Sequence, residues 1–284
     1  MINLEHIRKR YGDKEVLRDV TVTIEDGTIF GLIGKNGAGK TTLINIIAGI
    51  LPYNGGTVCV KNKNGESARI GYLPDLPAFY DYMTAEEYIK FLANGDMVDI
   101  TEILNKVSLD GKVRISSMSR GMRQRLGVAA MLVGNPDVIL LDEPTSALDP
   151  SGRADVMEIL RMLRDDGKTI ILSTHILADM EKVCDKVGFL VDGVITKDMS
   201  VATCDSEIAE LYVRFADAIK ADVLAKRLSV SQIDDNTLCI NVPDGELIET
   251  ERILFTCLAN VKNPVVSIST RVSDLDDMFK EVYR

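Results

Sequence analysis

Nine residues, Gly34-Lys35-Asn36-Gly37-Ala38-Gly39-Lys40-Thr41-Thr42, restrict what this chain can fold into more than any other stretch. They match the phosphate-loop pattern G-x-x-x-x-G-K-[ST] at every fixed position. Glycines let the backbone curl until successive N–H groups point inward, and a helix starting near Lys40 adds the positive end of its dipole to that cradle. Such a nest suits a polyphosphate. Lys40 is then placed to reach the β- and γ-phosphates, Thr41 to offer Mg²⁺ a hydroxyl ligand, and Thr42 to add a phosphate contact. The pattern also requires a strand before the loop and a helix after it. The apolar run Thr28 to Ile33 and the apolar-periodic stretch Leu43 to Ile50 supply both.

The neighbouring sequence extends this unit into an α/β fold. Leu4, Ile7, Tyr11, Val16, Leu17, Val20, Val22 and Ile24 predict antiparallel strands broken at Gly12-Asp13 and Asp26-Gly27. Further strands are predicted at Thr57 to Lys61 and Arg69 to Leu73. Pro74 and Pro77 interrupt the order, and Ala85 to Leu92 and Ile100 to Val107 carry helical spacing, so a small helical insert is expected over about residues 75–118. Ser119 to Val133 is helical in period and stops at Gly134-Asn135-Pro136. Val138 to Leu141 then reads as a central parallel strand, being apolar without interruption. A helix Pro150 to Arg164, a strand Thr169 to Ser173, a helix Ile176 to Val183 and strands Lys186 to Val191 and Val194 to Lys197 follow. Strands alternating with helices predict a largely parallel sheet.

Beyond about Asp198 the pattern changes, and residues 205–284 are expected to form a separate accessory domain after a first domain of residues 1–200. The predicted order is a strand Glu210 to Phe215, a helix Ala218 to Leu228, strands Val230 to Asp234 and Thr237 to Val242, a helix Leu247 to Leu258, a strand Val265 to Ser269 and a helix Leu275 to Tyr283. That β-α-β-β-α-β order plus a final helix suggests a ferredoxin-like sandwich. This segment holds 15 acidic and nine basic residues, which is six of the chain's ten net negative charges.

Charge and cysteine usage narrow the setting. A net charge of −10 disfavours nucleic acid or an anionic lipid surface as the main partner and would suit a basic protein surface. Five scattered cysteines, Cys59, Cys184, Cys204, Cys239 and Cys257, with no C-x-x-C pair, argue for reduced, mostly buried thiols. No apolar run approaches the length of a membrane span, and Met1 to Gly12 is charged and strand-like rather than signal-like, so a cytoplasmic chain is expected.

Asp142 closes the buried strand as the acidic residue of a phosphate-loop ATPase should, where a carboxylate holds Mg²⁺ directly or through water. Glu143, next in the chain, is placed to take a proton from a water attacking the γ-phosphate. An N-cap acid and an exposed loop glutamate are the structural alternatives.

Leu141-Asp142-Glu143-Pro144-Thr145-Ser146-Ala147-Leu148-Asp149 resembles the Walker B segment and D-loop of ATP-binding cassette (ABC) ATPases. The resemblance covers roughly residues 2–198 and implies further roles. Tyr11 is placed like the family's adenine-stacking aromatic, and His175 in Ser173-Thr174-His175 like its switch histidine. Met118-Ser119-Arg120-Gly121-Met122 stands at the signature motif. There Ser119 and Gly121 match and would face the γ-phosphate bound by a second subunit, while Arg120 and Met122 replace the usual Gly and Gln. Asp75 replaces the family's Q-loop glutamine; it could ligand Mg²⁺ through water or serve only as a turn residue between prolines.

The resemblance thus implies an ATPase binding ATP and Mg²⁺ through Tyr11, Gly34, Lys35, Asn36, Gly37, Ala38, Gly39, Lys40, Thr41 and Thr42. Glu143, His175 and Lys40 would be catalytic, and Thr41, Asp142 and Asp75 would hold the metal. The implied setting is the inner face of the cell membrane, as the motor of a bacterial exporter. The implied partners are a separately encoded transmembrane permease and a second nucleotide-binding subunit, identical or different, with no direct nucleic-acid contact. An importer motor, or a soluble cassette ATPase with a regulatory C-terminal domain, remains the alternative.

Overall fold

A computed structural model describes the chain except residues 96, 147, 202–207, 226, 244–245, 260, 273–274 and 284, so Ala147 and Cys204 lie outside the described residues. It divides into two compact units, one of residues 1–200 with 282–284 and one of residues 201–281.

The first unit is built on a nine-stranded mixed sheet. Its strands are β1 (Ile2–Tyr11), β2 (Lys14–Ile24), β3 (Ile29–Ile33), β4 (Gly55–Val60), β5 (Ile70–Leu73), β6 (Val138–Asp142), β7 (Thr169–Ser173), β8 (Lys186–Val191) and β9 (Val194–Ser200), in the spatial order β4-β1-β2-β9-β8-β3-β7-β6-β5. The half carrying β1, β2 and β4 is antiparallel, whereas β8, β3, β7, β6 and β5 run parallel. β3, β6 and β7 are buried at every position, which is why they read as unbroken apolar runs rather than alternating ones. Helices α1 (Lys40–Ile47), α2 (Ala85–Ala93), α3 (Ile100–Lys106), α4 (Arg120–Leu132), α5 (Pro150–Asp165) and α6 (Leu177–Val183) complete the unit. Leu43, Ile44 and Ile47 of α1 pack with Leu17, Phe30, Leu32, Leu140 and Ile171 in one core, which fixes α1 and the loop before it to the sheet.

Parallel pairing sets the site. Leu32 of β3 lies opposite Ser173 of β7, Asp142 of β6 opposite the same Ser173, and Leu73 of β5 opposite Leu141. The loops that leave β3, β7, β6 and β5 therefore emerge together at the carboxyl ends of adjacent strands, where open α/β sheets gather ligand-binding groups.

The second unit pairs β10 (Ile208–Phe215), β11 (Ser229–Gln232), β12 (Thr237–Asn241) and β13 (Val265–Val272) antiparallel in the order β11-β12-β10-β13, with α7 (Leu247–Leu258) and α8 (Leu275–Val282). That strand order is the ferredoxin-like one, around a core of Leu211, Val213, Phe215, Leu224, Leu238, Ile240 and Leu254. The helix predicted over Ala218 to Leu228 is not formed among the described residues; a single 3₁₀ turn, Ala221–Val223, stands there. The cause is competition for backbone groups. The Gln232 side chain accepts from Ala221 N–H and donates to Ile219 O, and Ile219 N–H donates to Asp235 O, so the segment is tied down by tertiary bonds instead of a helical ladder.

Cys59, Cys184, Cys239 and Cys257 are free thiols, but only Cys184 and Cys239 are buried, fewer than expected. Burial, and then the charge of Asp185, pushes the Cys184 thiol well above its ordinary pKa. Cys184 is therefore expected to resist iodoacetamide in the native chain while the half-buried Cys59 and Cys257 take up label, which peptide mass mapping before and after denaturation checks. Among the described residues, no helix is long and apolar enough to cross a membrane.

Candidate functional site

The glycines of the loop adopt the backbone that the pattern requires. Gly37 sits at φ 85° and Gly39 at φ 109°, and a Cβ on Gly39 would lie 2.8 Å from Leu17 Cδ2. Gly39 is the N-cap of α1 and brings no side chain to cap it. The first N–H groups of α1 thus remain for an external anion. Gly39→Ala meets both an unfavourable φ and a packed leucine and is expected to cost about 2 kcal/mol of stability. Gly37→Ala, with no atom near the added methyl, should cost about half that. Urea unfolding of both variants checks the ordering.

Lys40 is 7 % exposed, and its ammonium donates to Gly34 O at 2.7 Å and lies 3.6 Å from Glu143 Oε1. Glu143 in turn places Oε2 2.9 Å from His175 Nδ1. Loops from three adjacent strands thus meet in one Lys40–Glu143–His175 array. Glu143 achieves this with φ 49°, a left-handed backbone that costs a non-glycine residue about 1–2 kcal/mol. Its N–H donates to Ser173 O at 3.0 Å and to Ser173 Oγ at 3.2 Å, which offsets the strain.

Ser173 is the residue whose role the sequence did not disclose. Its hydroxyl donates to Asp142 Oδ1 at 2.6 Å while accepting from Glu143 N–H, so it orients both acids. The signal was present in the pattern: a serine ending the wholly buried strand TIILS must find partners. A second buried bond, from Thr145 Oγ1 to Asp179 Oδ2 at 3.1 Å, fixes the segment after Glu143 to α6.

An open cleft of about 380 Å³ lies over the loop, lined by Asn36, Gly37, Gly39, Lys40, Thr41 and Thr42 together with Lys14, Val16, Asp75 and Glu143. Asp75 lines this cleft and accepts from Ser146 Oγ at 3.4 Å. Burial, and after it the charges of Asp142 and Asp75, raises the Tyr72 hydroxyl above its ordinary pKa. Thr41 and Asp75 bring oxygen atoms to the wall of the cleft next to an uncapped, N–H-rich loop, donors of the kind a hard divalent cation bound with a polyphosphate takes.

Tyr11, Ser119 and Gly121 do not line this cleft, nor do Gly34, Lys35, Ala38, Asp142 and His175. Tyr11 ends β1 half-exposed, opposite Lys14, and carries the Lys9 ammonium 4.8 Å above its ring. Ser119 caps α4 by accepting from Met122 N–H at 3.3 Å, and Gly121 lies on the first turn of that helix. Arg120 between them lines an adjoining cleft with Asp75, Glu143 and Ser146.

Comparison with known proteins agrees with this geometry. The family model described as ABC transporter matches residues 17–146. An uncharacterized ABC transporter ATP-binding protein of Bacillus subtilis, YdbJ, is 30 % identical over 98 % of this chain and 94 % of its own length. The lantibiotic transport ATP-binding protein SrtF of Streptococcus pyogenes is 33 % identical over 69 % of this chain and 89 % of its own. Among solved structures, a dimeric post-hydrolysis state of the ATP-binding cassette MJ0796 bound to ADP and Pi superposes with a TM-score of 0.62 at 26 % identity, covering 71 % of this chain and 99 % of that one. With the phosphate loop, the acidic strand end and the mixed sheet in place, the chain belongs to the ATP-binding subunits of ABC transporters, ATPases that bind ATP with Mg²⁺.

Proposed function

We propose that the chain is the motor subunit of an exporter. It would bind ATP between its own phosphate loop and the Ser119–Gly121 segment of a second cassette subunit, and drive a separately encoded permease from the inner face of the membrane. Subunits of this family work with a transmembrane permease and form dimers. The observation that carries ATP hydrolysis in this reading is the Lys40–Glu143–His175 array at the mouth of the loop, and what favours export is the likeness to the lantibiotic transport ATP-binding protein SrtF. In-line attack of water on the γ-phosphorus needs a group that takes or steers a proton and groups that neutralise the developing charge. Glu143 serves as the first, Lys40 and His175 as the second. Thr41, Asp142 and Asp75 would hold Mg²⁺, which supplies charge neutralisation at the phosphate oxygens when bound. Tyr11 would stack on the adenine ring, and Ser119 and Gly121 would offer a hydroxyl and the start of α4 to the phosphate held by the other subunit.

Support for a permease comes from the insert after Asp75. Leu76 is 86 % exposed, Tyr82 68 % and Phe91 53 %, and Tyr80 packs edge-on to Phe91 with ring centroids 5.5 Å apart. Aromatic groups exposed together mark protein–protein contacts. Tyr82→Asp combined with Phe91→Asp is expected to lower membrane recovery of the chain at least about tenfold, as loss of an interface anchor does, with nucleotide affinity unchanged. Fractionation of the native host and nucleotide titration of the purified chain read the two quantities, and undiminished membrane recovery would count against this docking face. Direction is read in vesicles reconstituted with the co-purified permease and supplied with ATP outside. An exporter moves solute into the lumen, and an importer moves it out.

A further inference from the structure

Tyr283 reaches the phosphate loop. Tyr283, which belongs to the first unit, donates its hydroxyl proton to Leu190 O at 2.8 Å and accepts from Lys35 N–H at 3.1 Å. Its ring also carries the Lys35 ammonium 4.4 Å from the centroid. The β3–β8 ladder has its last rung at Ile33 and Phe189, so the hydroxyl bridges the two chains just past the point where their own pairing stops, at Leu190 on one side and Lys35 on the other. Gly34 makes the approach possible: a Cβ there would lie 2.8 Å from Leu190 O and 3.5 Å from the Tyr283 hydroxyl.

The bonded N–H has a second importance. Lys35 N–H and Gly34 C=O are the two ends of one peptide group, and Gly34 O is the atom that accepts from the Lys40 ammonium at 2.7 Å. Peptide planarity makes the orientation of one end that of the other. A hydroxyl holding the N–H therefore aims the carbonyl, and the carbonyl holds the lysine. Burial raises the Tyr283 hydroxyl's pKa more than the Lys35 N–H bond lowers it, and the nearby charge of Asp192 raises it further, so the proton given to Leu190 O is retained at neutral pH.

We propose that Tyr283 is a positioning residue of the nucleotide site, which clamps the Gly34–Lys35 peptide and so holds the Lys40 amine ready for phosphate. Tyr283 thereby sets how tightly the loop takes nucleotide. The proposal rests on the reading of Lys40 as the phosphate-binding amine. Tyr283→Phe keeps the ring over Lys35 and removes both hydroxyl bonds. In the full chain it is expected to raise the Kd for Mg·ADP and the KM for ATP about three- to tenfold, the worth of one net hydrogen bond, with kcat within about twofold of the parent. Tyr283→Leu, which also takes the ring from the Lys35 ammonium, should raise Kd further. A residue serving only to hold the fold would shift the thermal midpoint of the nucleotide-free chain without moving Kd at temperatures where that chain is folded. Lys40→Met is titrated in parallel. If Lys40→Met loses Mg·ADP while Tyr283→Phe binds it as the parent does, the clamp is wrong and the lysine's role stands. If Lys40→Met itself binds as the parent does, the lysine's role is wrong and the clamp falls with it.

Discussion

Replacing Glu143 by Gln leaves nucleotide binding intact and lowers ATP turnover at least about a hundredfold, the scale of a lost general base or water-orienting carboxylate. The geometry explains why the two effects separate. The substituted side chain keeps an oxygen toward the Lys40 ammonium, now 3.6 Å from Oε1, and a polar atom toward His175, now 2.9 Å from Oε2. The left-handed backbone at residue 143 is held by bonds to Ser173 that involve only the main-chain N–H. What is lost is the carboxylate's capacity to take a proton. Phosphate release and nucleotide titration measure the two quantities, and turnover within a few-fold of the parent would overturn the role given to Glu143.

Lys40→Met acts on the other side of the separation and removes nucleotide affinity. The ammonium is nearly buried among Gly34 O and Glu143, and a charge-assisted bond to phosphate contributes about 1.5–3 kcal/mol. Losing contacts to two phosphates weakens Mg·ATP binding by a factor of about 100 or more. The methionine fills the same channel, but Glu143 then faces no cation across it. The variant also frees Gly34 O, so disturbance of the Gly34–Lys35 peptide should accompany the affinity loss, visible as faster hydrogen exchange at Lys35.

The phosphate loop was legible because few other sequences satisfy the curl that Gly37 and Gly39 make. The strands β6 and β7 were legible because complete burial keeps Val138 to Leu141 and Ile170 to Leu172 apolar, with polar residues only at the strand ends. The gathering of Asp142, Glu143 and His175 followed from motif order, but the means did not: Glu143's left-handed φ and the Ser173 hydroxyl that braces it are set by a pairing of strands that are 31 residues apart at Asp142 and Ser173. The segment after Phe215 was misread because its helical spacing was real while Gln232 and Asp235 drew away the backbone groups that a helix needs. Tyr283 read simply as the last residue of a helix. Its bond to Lys35 spans 248 positions, a separation at which periodicity carries no information.

Capture of the tagged Glu143→Gln chain from its own host decides whether it drives a membrane transporter. The membranes are solubilised in mild detergent with and without Mg·ATP, and what co-purifies is identified by mass spectrometry. A multi-spanning membrane protein recovered with the chain, together with a second cassette subunit held more firmly when ATP is present, is the predicted result. Recovery of the chain from the cytosol with water-soluble partners alone, under both conditions, would contradict the transporter motor and leave an ATPase that acts elsewhere.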